Sequence, residues 1–316
     1  MGPRRVALLA FATVLAASCA EKPERETAAD VDETRTPVVY TTTYPLTYFI
    51  ERIAPGIVEV RCPVPPEEDP QFWNPARETV VEFQKADLIV MNGAQLEKWE
   101  LRAFLPITRV IHAANPLEDE YIVLKSAITH SHGPTGKHSH EGVDGYVWPD
   151  PVNAIAQARE IEKGLARAFP RHAAAFEANL GALVRDLKSL DASLAALTKG
   201  YDGRTILTSH PLYNYIARRY GWKIHSLLLE PDEMPPDSEF VSLKTIVQKT
   251  GARYLIWEAA PPREVTARMA RELGLTSVVF RHCATIEDDE RAAGVDYLKI
   301  MKQNIENIRP VFASRD

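Results

Sequence analysis

Four of the nine histidines in this 316-residue chain lie in one short stretch, THSHGPTGKHSHEG, at residues 129–142. They form two His-Ser-His pairs, made of His130, His132, His138 and His140. In an extended segment, side chains two residues apart point to the same side, so each pair could present two imidazoles to one ion. Gly133, Pro134 and Gly136 favour a turn that brings the second pair back to the first. Imidazole is a good donor for zinc, whereas manganese prefers carboxylate and water, so the stretch is a candidate zinc site.

Two interpretations of this histidine-rich stretch are open. Its imidazoles could belong to the principal metal site, because zinc takes about four nitrogen, sulfur or oxygen ligands. They could instead form a disordered store that raises the local metal concentration without forming that site. His112, His172 and His225 have no comparable spacing, and we expect them at the surface or in packing contacts.

Two further candidate ligands end predicted strands in the second half of the chain. His210 ends the predicted strand 204–210 and is followed by Pro211, while Glu258 ends the predicted strand 253–258. Ligands of open parallel sheets bind beyond the carboxyl ends of the strands, so both side chains are candidates for a cleft. His210 could instead be a core histidine bonded to backbone. Glu258 could be an ordinary salt-bridged carboxylate, or a partner that orients an imidazole.

The apolar pattern predicts the elements that must position these residues. Short β-branched runs and apolar segments such as DLIVMNG are typical of buried parallel strands. The predicted strands are 38–43, 57–64, 87–93, 109–114, 204–210, 223–229, 253–258 and 276–283. Helical patterns alternate with them, at LEKWELRAF among other stretches, so each half of the chain predicts a parallel sheet covered by helices.

Residues 151–200 predict two linking helices between these sheets. The second begins at Pro170 and ends before Gly200, and its apolar residues follow a 4-3-4-3 spacing. At 1.5 Å per residue it would extend about 40 Å. A coiled coil has the same spacing, but we predict a strut within one protein because both flanks are α/β. The predicted fold is therefore α/β: two parallel-sheet lobes joined by a long rigid helix, with a ligand cleft between the lobes.

The first residues differ from the rest of the chain. Arg4 and Arg5 precede an apolar run over residues 6–17, which is too short to span a membrane comfortably and is typical of a secretory signal. Small residues then lead to Cys19, a pattern that resembles a lipoprotein cleavage motif, although an ordinary signal with an incidental cysteine is the alternative. We predict a signal peptide (1–18), a disordered tether (19–36), a first lobe (37–150), linking helices (151–200) and a second lobe (201–316). The net charge of −6 does not favour a nucleic-acid partner.

Several stretches together resemble the solute-binding proteins of zinc- and manganese-type ABC importers, over roughly residues 37–312. They include VPPEEDPQFWNPARETVVEFQKADLIVMNGAQLEKW, VWPDPVNA, LTSHPLYNYIARRYG and YLIWEAAPP. The resemblance implies a monomeric protein that captures Zn²⁺, or a related divalent metal, between two lobes. It also implies delivery to a membrane permease served by a separate ATPase subunit, no enzymatic activity, and export to the cell envelope with a lipid anchor at Cys19.

The chain departs from the family pattern where the family usually places its metal ligands. Gln71 and Tyr146 stand where family members usually have histidine, and only His210 is kept. Arg281 stands at the usual acidic position and is followed by His282. The resemblance therefore makes the three departing positions, together with His282, cleft candidates in a divergent branch with an HSHGPxGxHSH loop. The charge of Arg281 would lower cation affinity unless it pairs with Glu258 or Glu230.

Two other functions fit the same residues. A zinc hydrolase could use histidine ligands with Glu258 as general base, although no motif places an open coordination position beside a base. Alternatively, the cleft could hold an organic ligand or a chelated metal at Gln71, Tyr146 and Arg281. Cys62 and Cys283 could form a disulfide in an exported protein, but they fall in different predicted lobes, so we do not expect them to pair.

Overall fold

The computed structural model describes Gly2 and residues 35–132 and 136–313, and for residues 125–132 and 136–141 it describes the backbone only. By its internal contacts the chain divides into two units, Met1–Arg35 and Thr36–Asp316, and all elements below belong to the second. The predicted signal peptide, Cys19 and nearly all of the predicted tether lie outside the described residues. No helix in the described part of the chain is long and apolar enough to cross a membrane.

The first sheet is parallel, with the strand order β2-β1-β3-β4. Its strands are β1 (Val38–Thr41), β2 (Glu59–Arg61), β3 (Leu88–Met91) and β4 (Val110–His112). All four residues of β3 are buried, as its apolar run predicts for a strand covered on both faces. The helices α1 (Tyr44–Ile53) and α2 (Arg77–Lys85) connect these strands, which confirms the predicted β-α-β order.

One predicted helix of this lobe is wrong. The stretch LEKWELRAF forms only a short 3-10 helix, Lys98–Arg102. The backbone enters it through Ala94 and Gln95, both with positive φ, and this left-handed entry cannot continue as a regular helix. Pro106 limits it on the other side, because a proline disfavours helical geometry in the residue before it.

The histidine-rich stretch forms an antiparallel hairpin of two strands, β5 (Val123–His132) and β6 (Gly136–Val143). The expected return of the chain is confirmed for the backbone, whose register places His130 opposite His138. The backbone on both sides of the turn is paired as strands. A cross-strand ladder satisfies the backbone amides of both arms, which an irregular loop would leave to water.

Two long helices follow the hairpin. The first is α3 (Pro151–Ala168), and the second is α4 (Ala173–Thr198), which begins after a 3-10 turn at Pro170–His172 rather than at Pro170 itself. Buried side chains of α4 repeat at the predicted spacing and face α1, α3 and α9 (Tyr297–Phe312) of the same chain. The helix is therefore a strut within the protein, as predicted.

The second sheet is also parallel, with the order β10-β9-β7-β8. Its strands are β7 (Ile206–Thr208), β8 (Ile224–Ser226), β9 (Tyr254–Trp257) and β10 (Thr276–Val279). The connecting helices are α5 (Asn214–Tyr220), α6 (Asp237–Thr250) and α7 (Arg263–Leu273), each of which ends at a glycine in the left-handed region. A short helix, α8 (Asp288–Ala292), which the sequence pattern did not predict, precedes α9.

Candidate metal site

The carboxyl ends of the second sheet bring five polar side chains together. Ser209 and His210 follow β7, Glu230 lies four residues after β8, Glu258 directly follows β9, and His282 lies three residues after β10. Because carboxyl ends of parallel strands meet at one edge, the strand order sets the side chains in the sequence His282, Glu258, His210, Glu230 along that edge.

His210 lies between two carboxylates and is almost completely buried. Its Nδ1 is 2.6 Å from Glu258 Oε1, and its Nε2 is 3.4 Å from Glu230 Oε1. Burial by itself lowers the pKa of His210, but the bonds and charges of the two glutamates outweigh it and raise the pKa to about 10. The His210 ring thus contacts two carboxylates, and it is not a core histidine bonded to backbone.

Glu258 is fixed by two side chains at once. One carboxylate oxygen contacts the His210 ring, and the other accepts a hydrogen bond from the Ser209 hydroxyl. Burial acts to raise the pKa of Glu258, but the bonds from His210 and Ser209 lower it overall. Glu258 therefore remains a carboxylate although its side chain is only 13% exposed.

The first lobe contributes Asp69, Gln71 and Tyr146 to the opposite side. The Tyr146 hydroxyl donates to the Asp69 carboxylate, 2.6 Å from each oxygen, and the Tyr146 ring meets the His282 ring edge-on at 5.7 Å. Gln71 is buried, its backbone N–H donates to Asp69, and its side-chain oxygen has no hydrogen-bond partner among the described residues. Tyr146 and Gln71 therefore occupy the first-lobe side of the site.

His282 and Arg281 point in different directions. His282 Nδ1 accepts a hydrogen bond from the Ala284 N–H, and burial lowers the pKa of this imidazole. The Arg281 guanidinium binds both carboxylate oxygens of Glu290, at 2.6 and 2.8 Å. Arg281 therefore pairs with neither Glu258 nor Glu230, the two partners considered from the sequence, because Glu290 in α8 offers a bidentate partner.

The segment after β10 is held in place by α9. Asn304, which is buried in α9, accepts from the Arg281 N–H and donates to the Arg281 carbonyl. The next residues adopt an unusual turn in which Cys283 has a φ of 60°. Cys62 and Cys283 are both free thiols, as we expected from their different lobes.

Sequence reasoning missed Asp69, Ser209 and Glu230 as members of this site. Glu230 carried a usable signal, because it directly follows the predicted strand 223–229, as Glu258 ends its own strand. Asp69 and Ser209 are ordinary polar residues in sequence, and only their contacts with Tyr146 and Glu258 reveal them. The side chains of His130, His132, His138 and His140 lie outside the described part of the structure. Among the described residues, no three His, Cys, Asp or Glu side chains form a ready metal cluster.

The chain matches the family model ZnuA, described as the periplasmic component A of the zinc-uptake complex, over residues 39–311. It is 25% identical over 276 residues to the zinc-binding lipoprotein AdcA of Streptococcus pneumoniae, covering 86% of this chain and 55% of that protein. It is 26% identical over 276 residues to the high-affinity zinc uptake system protein ZnuA of Bacillus subtilis, covering 86% of each. The chain thus spans about half the length of the AdcA relatives that it matches.

Solved structures agree with the fold. The Zn(II)-bound AdcA of Streptococcus pneumoniae superposes with a TM-score of 0.76 at 22% identity, covering 89% of this chain and 58% of that one. Its isolated Zn(II)-bound ZnuA-like domain gives a TM-score of 0.75 and is covered completely. With the family model matching most of its length, the chain belongs to the ZnuA family of periplasmic zinc-uptake components.

Proposed function

We propose that this protein is the extracytoplasmic solute-binding component of an ABC importer and that it captures Zn²⁺ in the cleft between its two sheets. It performs no chemical conversion and passes the ion to a membrane permease served by a separate ATPase. Family membership supports the class of protein. The observation that carries the metal site is the buried imidazole of His210, set between the carboxylates of Glu230 and Glu258.

The hairpin histidines complete the coordination of zinc in this proposal. His210 and one neighbouring carboxylate supply two donors, and zinc takes about four. His130, His132, His138 and His140 can supply the others in place of the family ligands that Gln71 and Tyr146 replace. A site rich in imidazole favours zinc over manganese.

The base of the hairpin supports this arrangement because it is tied to the helix that follows His210. The Tyr215 hydroxyl, in α5, accepts from the Ile122 N–H and donates to the Asp144 carbonyl. Asn214, at the start of α5, donates to the Asp144 carboxylate. His140 is four residues from Asp144, a span of at most about 14 Å along an extended chain.

Export and anchoring are part of the proposal. Residues 1–18 are the signal, Cys19 becomes the lipidated first residue, and residues 19–36 tether a monomeric binding unit to the membrane surface. Radiolabelled fatty acid should be incorporated into the wild-type protein and not into Cys19→Ser, whereas equal labelling of the two would remove the anchor from the proposal.

Zinc capture is tested by calorimetric titration of the purified protein with Zn²⁺, Mn²⁺ and Cu²⁺, beside a variant with all four hairpin histidines changed to alanine. One tight zinc site that the fourfold variant loses supports the proposal. Zinc binding of unchanged affinity in that variant would make the hairpin an accessory store. Absence of zinc binding to the wild type would refute the proposed function.

A matched control removes exposed imidazoles elsewhere. The double variant His172→Ala/His225→Ala takes two exposed histidines from outside the site and should bind zinc as the wild type does. His130→Ala/His132→Ala removes the same number from the hairpin and should weaken binding. Equal losses in the two double variants would indicate a general effect of histidine content.

A further inference from the structure

The two carboxylates beside His210 differ in their distance from the ring. Glu258 is at hydrogen-bond distance from Nδ1, at 2.6 Å, whereas Glu230 is 3.4 Å from Nε2. Two ligands of one tetrahedral zinc ion, each about 2.0–2.1 Å from the metal, are about 3.3–3.4 Å apart. The pair His210 Nε2 and Glu230 Oε1 thus already has the spacing of two zinc ligands, while the pair with Glu258 is too close.

Glu258 is also engaged on both of its oxygens. One contacts His210 Nδ1 and the other accepts from the Ser209 hydroxyl, so the carboxylate is held in one orientation. A carboxylate accepts and does not donate, so when His210 gives up one proton to bind a metal, the remaining proton stays on Nδ1, beside the closer carboxylate of Glu258. The lone pair of Nε2 then points towards Glu230, the arrangement in which a carboxylate orients a metal-binding histidine.

The position of Glu230 is set by the backbone beyond β8. The Leu227 N–H donates to the Thr208 carbonyl at 2.8 Å, and the Leu229 N–H donates to the Ser209 carbonyl at 3.0 Å. These bonds extend the pairing with β7 past the end of the regular strand. Glu230 is therefore held beside His210 by the same ladder that forms the sheet, and its carboxylate does not depend on a freely moving loop.

We propose that Glu230 is the carboxylate ligand of the metal beside His210 Nε2, and that Glu258 and Ser209 are positioning residues that orient the His210 ring. This inference rests on the proposed function, because it assigns roles within the same zinc site. Of the roles that the sequence left open for Glu258, it selects the partner that orients an imidazole over the metal ligand. Neither the family description nor the relatives assign a role to Glu230.

The roles are distinguished by zinc affinity and by the visible absorption of the Co²⁺-loaded protein, which reports the ligands and the geometry around the metal. Glu230→Gln should weaken zinc binding by at least about 100-fold and should change the Co²⁺ spectrum. Glu258→Gln should weaken it by about 10- to 100-fold, the range for partners that orient a ligand, and should leave the Co²⁺ spectrum unchanged. Ser209→Ala should act in the same direction as Glu258→Gln but less strongly.

Glu233→Gln is the matched control, because Glu233 is an exposed carboxylate three residues further along the same segment, and it should change neither measurement. If Glu258→Gln does not fold, Ser209→Ala tests the positioning role by itself. A spectrum changed by Glu258→Gln and unaffected by Glu230→Gln would overturn this inference and leave zinc capture intact. A wild type that binds neither zinc nor cobalt would overturn both.

Discussion

The helices α3 and α4 each contain one glycine, and the same substitution should have opposite effects at the two positions. A Cβ at Gly164 in α3 would lie 1.8 Å from Ile111 Cδ1 and 2.9 Å from Ile111 Cγ1. A Cβ at Gly181 in α4 would meet nothing closer than the end of the Arg185 side chain, at 3.7 Å. We therefore expect Gly164→Ala to destabilise the protein and Gly181→Ala to stabilise it.

The magnitudes follow from two opposing contributions. Alanine is favoured over glycine in a helix interior by about 1 kcal/mol, and this gain applies at both positions. Overpacking a buried contact costs about 1–3 kcal/mol, and it applies at Gly164 because Ile111 is buried in β4 behind the helix. The net expectation is a loss of up to about 2 kcal/mol for Gly164→Ala and a gain of about 1 kcal/mol for Gly181→Ala.

Urea unfolding at equilibrium measures both effects, with chelator present so that bound metal does not contribute to stability. In thermal unfolding, at about 2–4 °C per kcal/mol, the two variants should differ in Tm by about 2–12 °C. Adding Ile111→Val removes the Cδ1 atom and should make Gly164→Ala less costly than it is in the wild-type background. A Gly164→Ala protein as stable as Gly181→Ala would refute the predicted contact between α3 and the first sheet.

Three further predictions concern other contacts. His112 Nε2 is 2.7 Å from Glu100 Oε1, and this bond raises the pKa of His112 above 6.5. The stabilisation of the folded state by this pair is therefore complete below pH 6.5 and is lost as the pH rises through the raised pKa. In urea unfolding, the wild type should be more stable than Glu100→Gln by about 0.2–1 kcal/mol at pH 6, and this difference should shrink towards pH 9. Asp150 caps α3 and pairs with Arg219, and only 1% of the Asp150 side chain is exposed. Asp150→Ala should therefore lower the unfolding free energy by about 3 kcal/mol or more, measured by thermal unfolding. Glu306→Ala removes one member of an exposed pair and should cost less than about 1 kcal/mol. Asn304→Leu leaves the Arg281 N–H and carbonyl without their hydrogen bonds to this side chain, so it should lower the unfolding free energy by about 2 kcal/mol or more. It should also weaken zinc binding, because the turn after β10 is displaced. Gln303→Leu is the control and should have neither effect.

The order of elements was predictable because the apolar pattern of this chain is strong. An apolar run such as Leu88–Met91 leaves water when it forms a strand that is covered on both faces. The repeated leucines of α4 leave water when they form one face of a packed helix. The segment Lys98–Arg102 was predicted wrongly, because its conformation depends on the left-handed residues Ala94 and Gln95 before it and not on its own helical pattern. The rule that ligands bind beyond the carboxyl ends of parallel strands also located His210 and Glu258, which follow two neighbouring strands of the second sheet.

The sequence by itself determined which residues could reach the carboxyl edge of each sheet, because hydrophobic periodicity sets where strands begin and end. Only the tertiary structure decided which carboxylate lies beside which nitrogen of His210. It also decided that Arg281 pairs with Glu290 and that the His282 ring contacts the Tyr146 ring. These choices depend on differences of about 1 Å between side chains that are between 9 and 136 residues apart in sequence. Such distances result from packing the whole chain, and no local pattern of residues records them.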